Sequence, residues 1–206
     1  MRVLFVHGMG RSPISGWPML RHLSRAGLDA TTFGYFTSIQ SFDAISARLT
    51  GTLTELLRDN DLALVGHSLG GLLLRDALRA LPVGGRQPHH LFLLGSPIGA
   101  SSVAGRLAGN AMFRAMTGDC GRMLGSSMRM SGVKSPSIPT TGIAGVRALP
   151  GRKAAFGGQP NDGVVTLAEV SAPWLRDQEQ VPIIHTLLPS SRRVASIILQ
   201  RLGRAP

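Results

Sequence analysis

Short apolar runs alternate with longer amphipathic segments along most of the chain. The runs predict strands at residues 3–6, 30–33, 62–65, 91–94, 141–146 and 181–184. Between the second and third runs, apolar residues recur at spacings of three and four, which predicts one helix face: Phe42, Ile45, Leu49, Leu53 and Leu56. Further helices are predicted over residues 17–25, 69–80 and 191–202. This alternation is typical of an α/β fold with a mostly parallel sheet flanked by helices on both faces.

A less regular stretch interrupts this pattern at about residues 97–139. Five methionines lie there among glycine, serine and arginine residues: Met112, Met116, Met123, Met128 and Met130. Because methionine adapts to irregular apolar surfaces, we predict an insertion or cap over the sheet edge that carries the chemistry described below. The 206 residues fit a single domain over residues 1–206, since one core usually takes roughly 100–200 residues.

Basic residues outnumber acidic residues by 22 to 11, which gives a formal net charge of +11. Such a charge favours anionic partners in general, an anionic lipid surface among them, although a solvated basic surface is the favoured interpretation. Four arginines of the methionine-rich stretch form a candidate basic rim: Arg106, Arg114, Arg122 and Arg129. With 5% aromatic residues and no nucleic-acid-binding motif, the sequence predicts no specific nucleic-acid partner. It does not define an oligomeric state.

The chain shows no pattern of an export signal or a membrane span. Only four apolar residues follow one another near its start, fewer than the roughly 7–15 of a secretory leader, and no run reaches ~18. The single cysteine, Cys120, excludes an internal disulfide and suits a reducing compartment. We therefore predict a cytoplasmic location, with peripheral contact to a membrane surface. Because no His, Cys and carboxylate residues cluster at ligand spacing, we predict neither a metal nor an organic cofactor.

The strongest chemical motif is Gly66-His67-Ser68-Leu69-Gly70-Gly71, which lies between a predicted strand and a predicted helix. In a nucleophile elbow, a serine occupies a strained strand-to-helix turn, so small residues are needed two positions before and after it. Gly66 and Gly70 occupy those positions. We therefore predict that Ser68 is a nucleophile, in preference to a glycine-rich structural turn.

The loop after the first predicted strand carries a second motif, Val6-His7-Gly8-Met9-Gly10. Ligands of open parallel sheets bind beyond the carboxyl ends of the strands, so this loop and the Ser68 elbow are expected at the same edge. A glycine-flanked turn presents backbone amides, and amides at a helix N-terminus favour a developing oxyanion. We predict that the amides of Met9 and Leu69 form an oxyanion hole and that His7 is structural.

A serine hydroxyl needs a base within hydrogen-bond reach. Three histidines follow Ser68 in the sequence: His89, His90 and His185. His89 and His90 precede a predicted strand, which places them at the opposite edge of the sheet. His185 follows the last predicted strand and is therefore the predicted base.

The base needs an acid behind it, and position leaves two candidates open. Asp177 and Glu179 are excluded because they precede the last predicted strand. Asp162 lies in a turn reached after the fifth predicted strand, whereas Asp119 lies within the methionine-rich stretch. We favour Asp162, with Asp119 as the alternative.

With these motifs in place, the chain resembles the α/β-hydrolase superfamily, in particular its compact lipase and esterase-like members. The resemblance spans nearly the whole domain and rests on five segments: His7-Gly8, Gly66 to Gly71, Leu94-Gly95-Ser96-Pro97, Asn161 to Val165 and His185-Thr186. The Asn161 to Val165 segment resembles the one that supplies the acid of the family's triad, which favours Asp162 further. Because the first predicted strand already carries the His7-Gly8 loop, the resemblance implies a minimal α/β-hydrolase fold.

The resemblance and the motifs together predict a serine carboxylic-ester hydrolase that acts on an apolar acyl or lipid ester through an acyl-enzyme. Its catalytic triad would be Ser68, Asp162 and His185. A thioesterase and an acyltransferase use the same acyl-serine and remain alternatives. A further alternative is a non-catalytic protein of the same fold that binds a lipid or a protein partner.

Overall fold

The core of the molecule is a parallel β-sheet. The structure is a computed structural model that describes residues 1–107, 109–148 and 156–205. Its described residues form six strands: β1 (Arg2–Val6), β2 (Asp29–Phe33), β3 (Leu62–His67), β4 (His90–Leu94), β5 (Thr140–Gly145) and β6 (Asp177–Val181). Their order in the sheet is β2-β1-β3-β4-β5-β6, and every neighbouring pair is parallel. The loops that follow the strands therefore meet at one edge, which we call the carboxyl edge.

Helices cover both faces of this sheet. The α-helices of the described residues are α1 (Trp17–Arg25), α2 (Phe42–Asp59), α3 (Leu69–Arg79), α4 (Ser102–Leu107), α5 (Ala111–Gly125), α6 (Ser127–Ser131) and α7 (Arg192–Arg201). Short 3-10 helices occupy Pro13–Gly16, Ala168–Val170 and His185–Ser190. Helices α1 and α7 pack on one face, and α2 and α3 pack on the other. In the part of the chain described, no helix is long and apolar enough to cross a membrane.

The alternation of side chains along β1 divides the core between these two faces. Val3 and Phe5 pack with α1 and α7, whereas Leu4 and Val6 pack with α2 and α3. The predicted apolar face of α2 is confirmed, because four of its members are buried and Leu56 is partly buried against the same core. Leu57, which was not predicted, is buried there as well. Together these contacts fix the sheet between two helical layers.

The last strand differs from the sequence prediction. The sequence predicts it at residues 181–184, but β6 spans Asp177–Val181, so Asp177 and Glu179 lie inside the strand. Within the described residues this strand pairs only with β5, and its first three side chains are half-buried. An edge strand therefore tolerates polar residues, and Arg201 of α7 pairs with both acids, at 2.5 Å and 2.6 Å. The apolar run that suggested a strand lies in the connection that leads to His185–Ser190.

The segment from residue 97 to 139 contains helices α4, α5 and α6, and residue 108 lies outside the described residues. Two of the five methionines in this segment, Met123 and Met130, are buried in the core beside α2 and α3. The other three are exposed: Met112, Met116 and Met128. Helix α5 is kinked at Gly118, whose φ is 51°. A Cβ atom there would lie 2.5 Å from the Thr37 carbonyl oxygen, so a glycine lets α5 approach the loop after β2.

Asp119 ties this segment to the rest of the molecule. Its carboxylate accepts two hydrogen bonds from the Arg129 guanidinium, at 2.7 Å and 3.1 Å, and one from the Phe42 amide. Arg122 also lies 3.7 Å from it. The hydrogen bonds from Arg129 lower the pKa of Asp119. Two members of the predicted basic rim, Arg122 and Arg129, are thus paired with an acid inside the fold.

Candidate active site

Ser68 occupies a strained turn between β3 and α3. Its φ is 53° and its ψ is −121°, and it is the one non-glycine residue with a positive φ among the described residues. Such a backbone costs about 1–3 kcal/mol and persists only where the surroundings enforce it. The turn leaves Ser68 half-buried at the carboxyl edge, directly before the first residue of α3.

Glycines allow this turn to pack against its neighbours. A Cβ atom at Gly66 would lie 2.3 Å from the Gly71 Cα atom, and one at Gly70 would lie 2.2 Å from the Val6 carbonyl oxygen. At Gly71 it would meet Ser96 Oγ at 2.4 Å. Because these approaches are too close for any side chain, the spacing of glycines around Ser68 follows from the tightness of the turn itself and from the contacts of α3 with β1 and with Ser96 after β4.

His185 and Asp162 are joined by a hydrogen bond at the same edge. Asp162 lies in a turn between β5 and β6, and His185 begins the 3-10 helix that follows β6. The His185 Nδ1 atom is 2.7 Å from Asp162 Oδ2, and the two residues are 6% and 2% exposed. Since a carboxylate only accepts, Nδ1 donates this hydrogen bond, which leaves Nε2 of a neutral ring as a proton acceptor.

The Asp162 carboxylate is held in place by its own turn. Its Oδ1 atom accepts hydrogen bonds from the amides of Val164 and Val165, at 3.0 Å and 2.9 Å. The His185 amide in turn donates to the Asp162 carbonyl oxygen at 3.0 Å. Of the two acids that the sequence left open, Asp162 is the one that contacts His185, and Asp119 contacts Arg129 instead.

His67 connects the loops of Ser68 and His185, a role that was not predicted from the sequence. Its Nε2 atom is 3.0 Å from the His185 carbonyl oxygen and therefore donates, and the two rings are 4.8 Å apart. Burial lowers the pKa of His67 well below its ordinary value, and the nearby His185 lowers it further. The place of His67 directly before Ser68 could have marked it in the sequence as a residue of the site. Only the fold shows that its ring contacts the His185 carbonyl oxygen.

The end of β4 lies between the elbow and the histidine–aspartate pair. The Ser68 amide donates to the Leu94 carbonyl oxygen at 2.9 Å. A Cβ atom at Gly95 would lie 3.0 Å from His185 Nδ1 and 3.1 Å from Asp162 Oδ2. Among the described residues, Ser68 Oγ makes no hydrogen bond with His185. Nucleophile and base are often further apart before substrate binds, and their hydrogen bond shortens in the complex.

Two backbone amides beside Ser68 have no acceptor. Within the described chain, neither the Met9 amide nor the Leu69 amide donates a hydrogen bond. The Met9 loop is close to Ser68, because a Cβ atom at Gly8 would lie 3.1 Å from Ser68 Cβ. Unpaired amides at this point have the chemistry that an oxyanion requires.

His7 supports this loop through Tyr35. The two rings stack at 4.2 Å, and the Tyr35 hydroxyl donates to the His7 carbonyl oxygen at 2.6 Å. His7 Nδ1 donates to the Gly8 carbonyl oxygen at 2.9 Å. Burial lowers the pKa of His7, which favours the neutral ring that these contacts need. These contacts agree with the structural role predicted for His7.

Another buried histidine lies away from this site, and the described residues include no cluster suited to a metal ion. His90 begins β4 at the opposite edge, where its Nε2 atom lies 2.8 Å from Thr141 Oγ1. No group of three or more His, Cys, Asp and Glu residues in the described chain is arranged to hold a metal ion. The carboxyl edge therefore combines a serine hydroxyl, a buried histidine–carboxylate pair and free amides, which are the groups that acyl transfer uses.

Solved structures similar to this one have the α/β-hydrolase fold, and this chain has the same fold. A metagenomic carboxyl esterase matches with a TM-score of 0.73 at 15% identity, over 90% of this chain and 64% of the esterase. A thioesterase from the prodiginine biosynthetic pathway of Streptomyces coelicolor matches with a TM-score of 0.60 at 20% identity, over 98% and 89%. A methylesterase from Arabidopsis matches with a TM-score of 0.63 at 14% identity, over 98% and 99%.

The sequence itself matches no protein-family model and no curated protein. The chain spans slightly less than two thirds of the carboxyl esterase, 64% of its length, and nearly all of the methylesterase. At these identities the similarity establishes the fold, and the chemistry has to be argued from the site.

Proposed function

We propose that the protein is a serine carboxylic-ester hydrolase that cleaves an apolar acyl or lipid ester through an acyl-enzyme. Ser68 is the nucleophile, His185 the general base and Asp162 the acid that orients it. The observation that most supports this proposal is the buried 2.7 Å contact between His185 and Asp162, at the edge that carries the strained Ser68. A strained, partly exposed serine and a buried histidine–carboxylate pair serve no obvious packing purpose together.

In the acylation step, His185 Nε2 removes the proton of Ser68 as its Oγ attacks the ester carbonyl carbon. The oxygen that becomes negative accepts hydrogen bonds from the Met9 and Leu69 amides. Collapse of this intermediate breaks the bond to the alcohol, which takes the proton from His185. Asp162 stabilises the imidazolium throughout and does not itself become protonated.

In the deacylation step, His185 activates a water molecule that attacks the acyl-serine. The carbonyl oxygen again becomes negative at the Met9 and Leu69 amides, and the carboxylic acid leaves as Ser68 recovers its proton. His67 has a positioning role, because its hydrogen bond to the His185 carbonyl oxygen fixes the base relative to the elbow. No step requires a metal or an organic cofactor.

The proposed substrate is a small-molecule or lipid ester, and the proposed setting is the cytoplasm, with contact to an anionic membrane surface. Apolar side chains near the carboxyl edge support an apolar ester: Phe36 and Met116 are 69% and 62% exposed. The segment from residue 97 to 139 would act as the cap over this edge, because Thr37 of the β2 loop donates to the Met116 carbonyl oxygen.

A thioesterase is the second candidate, and the match to the Streptomyces coelicolor thioesterase favours it over an acyltransferase. Both candidates form the same acyl-Ser68. The ester hydrolase releases an alcohol and the thioesterase releases a thiol, so the elbow, the base and the acid have identical roles in the two enzymes.

The test is hydrolysis by the purified protein of 4-nitrophenyl esters with acyl chains of two to twelve carbons, beside N-acetylcysteamine thioesters of the same acids. We expect turnover of the oxygen esters, and loss of about 10⁶ in kcat in Ser68→Ala, because no other group forms the acyl-enzyme. Ser127→Ala is the matched control, since Ser127 is exposed at the start of α6. Faster turnover of every thioester would favour the second candidate, and full activity of Ser68→Ala would refute both.

A further inference from the structure

A cavity of about 220 Å³ lies beside the loop that carries the Met9 amide. It separates the loop after β1 from the loop after β2, and its wall includes His7, Arg11, Phe36, Thr37, Ser38 and Met116. Its lining combines polar residues, among them His7 and Thr37, with the exposed apolar side chains of Phe36 and Met116. The cavity therefore offers both polar and apolar contacts next to the candidate active site.

Arg11 is the one residue with a formal charge in this wall. Within the described part of the chain, no carboxylate lies within salt-bridge distance of it. Its guanidinium makes one side-chain hydrogen bond, a long one of 3.3 Å to the Thr186 carbonyl oxygen. Because a guanidinium carries five N–H donors, most of its hydrogen-bonding capacity is unused.

Other arginines near the site differ from Arg11 in this respect. Arg129 is held by Asp119 in a bidentate contact, and Arg122 lies 3.7 Å from the same carboxylate. Ser38, another residue of the cavity wall, is exposed and makes no hydrogen bond within the described residues, so its hydroxyl is also open to a ligand. The wall thus holds an exposed cation without an acid partner and an exposed hydroxyl.

Arg11 is also close to the reacting groups. It comes two residues after Met9, and it binds the carbonyl of Thr186, the residue that follows His185. After burial and His185, its positive charge is one of the influences that lower the pKa of His67. A group bound by Arg11 would therefore lie beside the loops that carry Met9 and His185.

We propose that this cavity is a subsite for an anionic oxygen group, a carboxylate or a phosphate, carried by the ester substrate, and that Arg11 determines this specificity. The inference rests on the proposed function and narrows its substrate class. Guanidinium groups bind such oxygens through charge-assisted hydrogen bonds, and the exposed Arg11 side chain is accessible to them. Arg11 acts on substrate choice and is not required for the chemistry at Ser68.

The test compares two pairs of esters, each with one anionic and one neutral member. The first pair carries the charge on the acyl side: mono-4-nitrophenyl glutarate and 4-nitrophenyl pentanoate. The second pair carries the charge on the alcohol side: 4-acetoxyphenyl phosphate and 4-methoxyphenyl acetate. Hydrolysis of this pair is measured by the acid that it releases. Each is assayed with the wild type, Arg11→Gln, Arg11→Lys and Arg21→Gln, which removes an exposed charge from α1.

We expect the ratio of kcat/KM for the charged ester to that for its neutral partner to fall about 10–100-fold in Arg11→Gln in at least one pair. Arg11→Lys should restore part of the ratio, and Arg21→Gln should leave it unchanged. The ratio also corrects for a general loss of activity, because losing the contact between Arg11 and Thr186 would slow both esters of a pair equally. If the neutral esters are hydrolysed and both ratios stay within twofold, the subsite is refuted alone. If no ester is hydrolysed by the wild type, the proposed function fails and the subsite with it.

Discussion

At the scale of single residues, the site depends on one strained backbone and one buried pair. Ser68 pays about 1–3 kcal/mol for its positive φ, which the close approach of α3 to β1 enforces. Asp162 is fixed by two amides of its own turn, and it holds His185 in one ring tautomer. Each residue is therefore positioned before substrate arrives, which is the condition for electrostatic catalysis.

The role of the acid can be tested by removing its charge. Asp162→Asn should lower kcat by about 10⁴, because the His185 ring loses its preferred tautomer and its imidazolium loses stabilisation. Ester hydrolysis by the folded variant measures the effect. Asp119→Asn is the matched control, and it should weaken the contact with Arg129 while leaving kcat within a few-fold of the wild type. An exchange of the two results would place the catalytic acid in the segment from residue 97 to 139.

At the scale of elements, the sheet brings together residues that are far apart in the sequence. The loops after β1, β3, β5 and β6 carry Met9, Ser68, Asp162 and His185, and all four strands end at the carboxyl edge. The tightest contact in this arrangement is between α3 and β1, where Gly70 faces the Val6 carbonyl oxygen. The first turn of α3 therefore sets the position of Ser68, the proposed nucleophile, relative to the Met9 loop.

A pair of glycine substitutions tests that contact. Gly70→Ala should lower the free energy of unfolding by about 1–3 kcal/mol or more, because its Cβ atom would meet the Val6 backbone at 2.2 Å. Gly51→Ala, in α2, should raise it by about 0.5–1 kcal/mol, since nothing lies within 4 Å of the added atom. Urea unfolding measures both. Equal effects of the two substitutions would mean that α3 does not pack on β1 as described.

Most of the sheet was predictable because buried parallel strands are short apolar runs, and Ser68 was predictable because its elbow is a local motif. β6 was not, since an edge strand paired with Arg201 needs little apolar character. Position alone did not choose between Asp162 and Asp119, because the turn that aims an acid at His185 is a tertiary feature. The contact of His67 with the His185 carbonyl oxygen could not be predicted for the same reason.

At the scale of the whole molecule, the burial of His7, His67 and His90 makes stability depend on pH. His7 and His67 lie at the carboxyl edge and His90 at the opposite edge, and burial lowers the pKa of each, to about 4 for His90. The unfolded chain, with a histidine pKa of about 6.5, therefore binds more protons than the folded chain below that pH. Stability is fully present above pH 6.5 or so and falls as the solution becomes more acidic.

His90→Gln isolates one part of this dependence. Between pH 7 and pH 5, His90 should contribute about 2 kcal/mol to the loss of unfolding free energy of the wild type. The total loss in His90→Gln should therefore be smaller by about that amount. Urea titrations at the two pH values give the difference. His89→Gln, at the exposed neighbouring position, should change it little. The idea fails if both variants lose as much stability on acidification as the wild type.

Reaction with a fluorophosphonate probe, followed by peptide mass spectrometry, tests the central claim most directly, because only an activated serine reacts quickly with such a reagent. We predict a single adduct on the peptide that contains Ser68, absent in Ser68→Ala and formed much more slowly in His185→Gln. Labelling of another residue, or labelling of the wild type no faster than that of His185→Gln, would contradict the account.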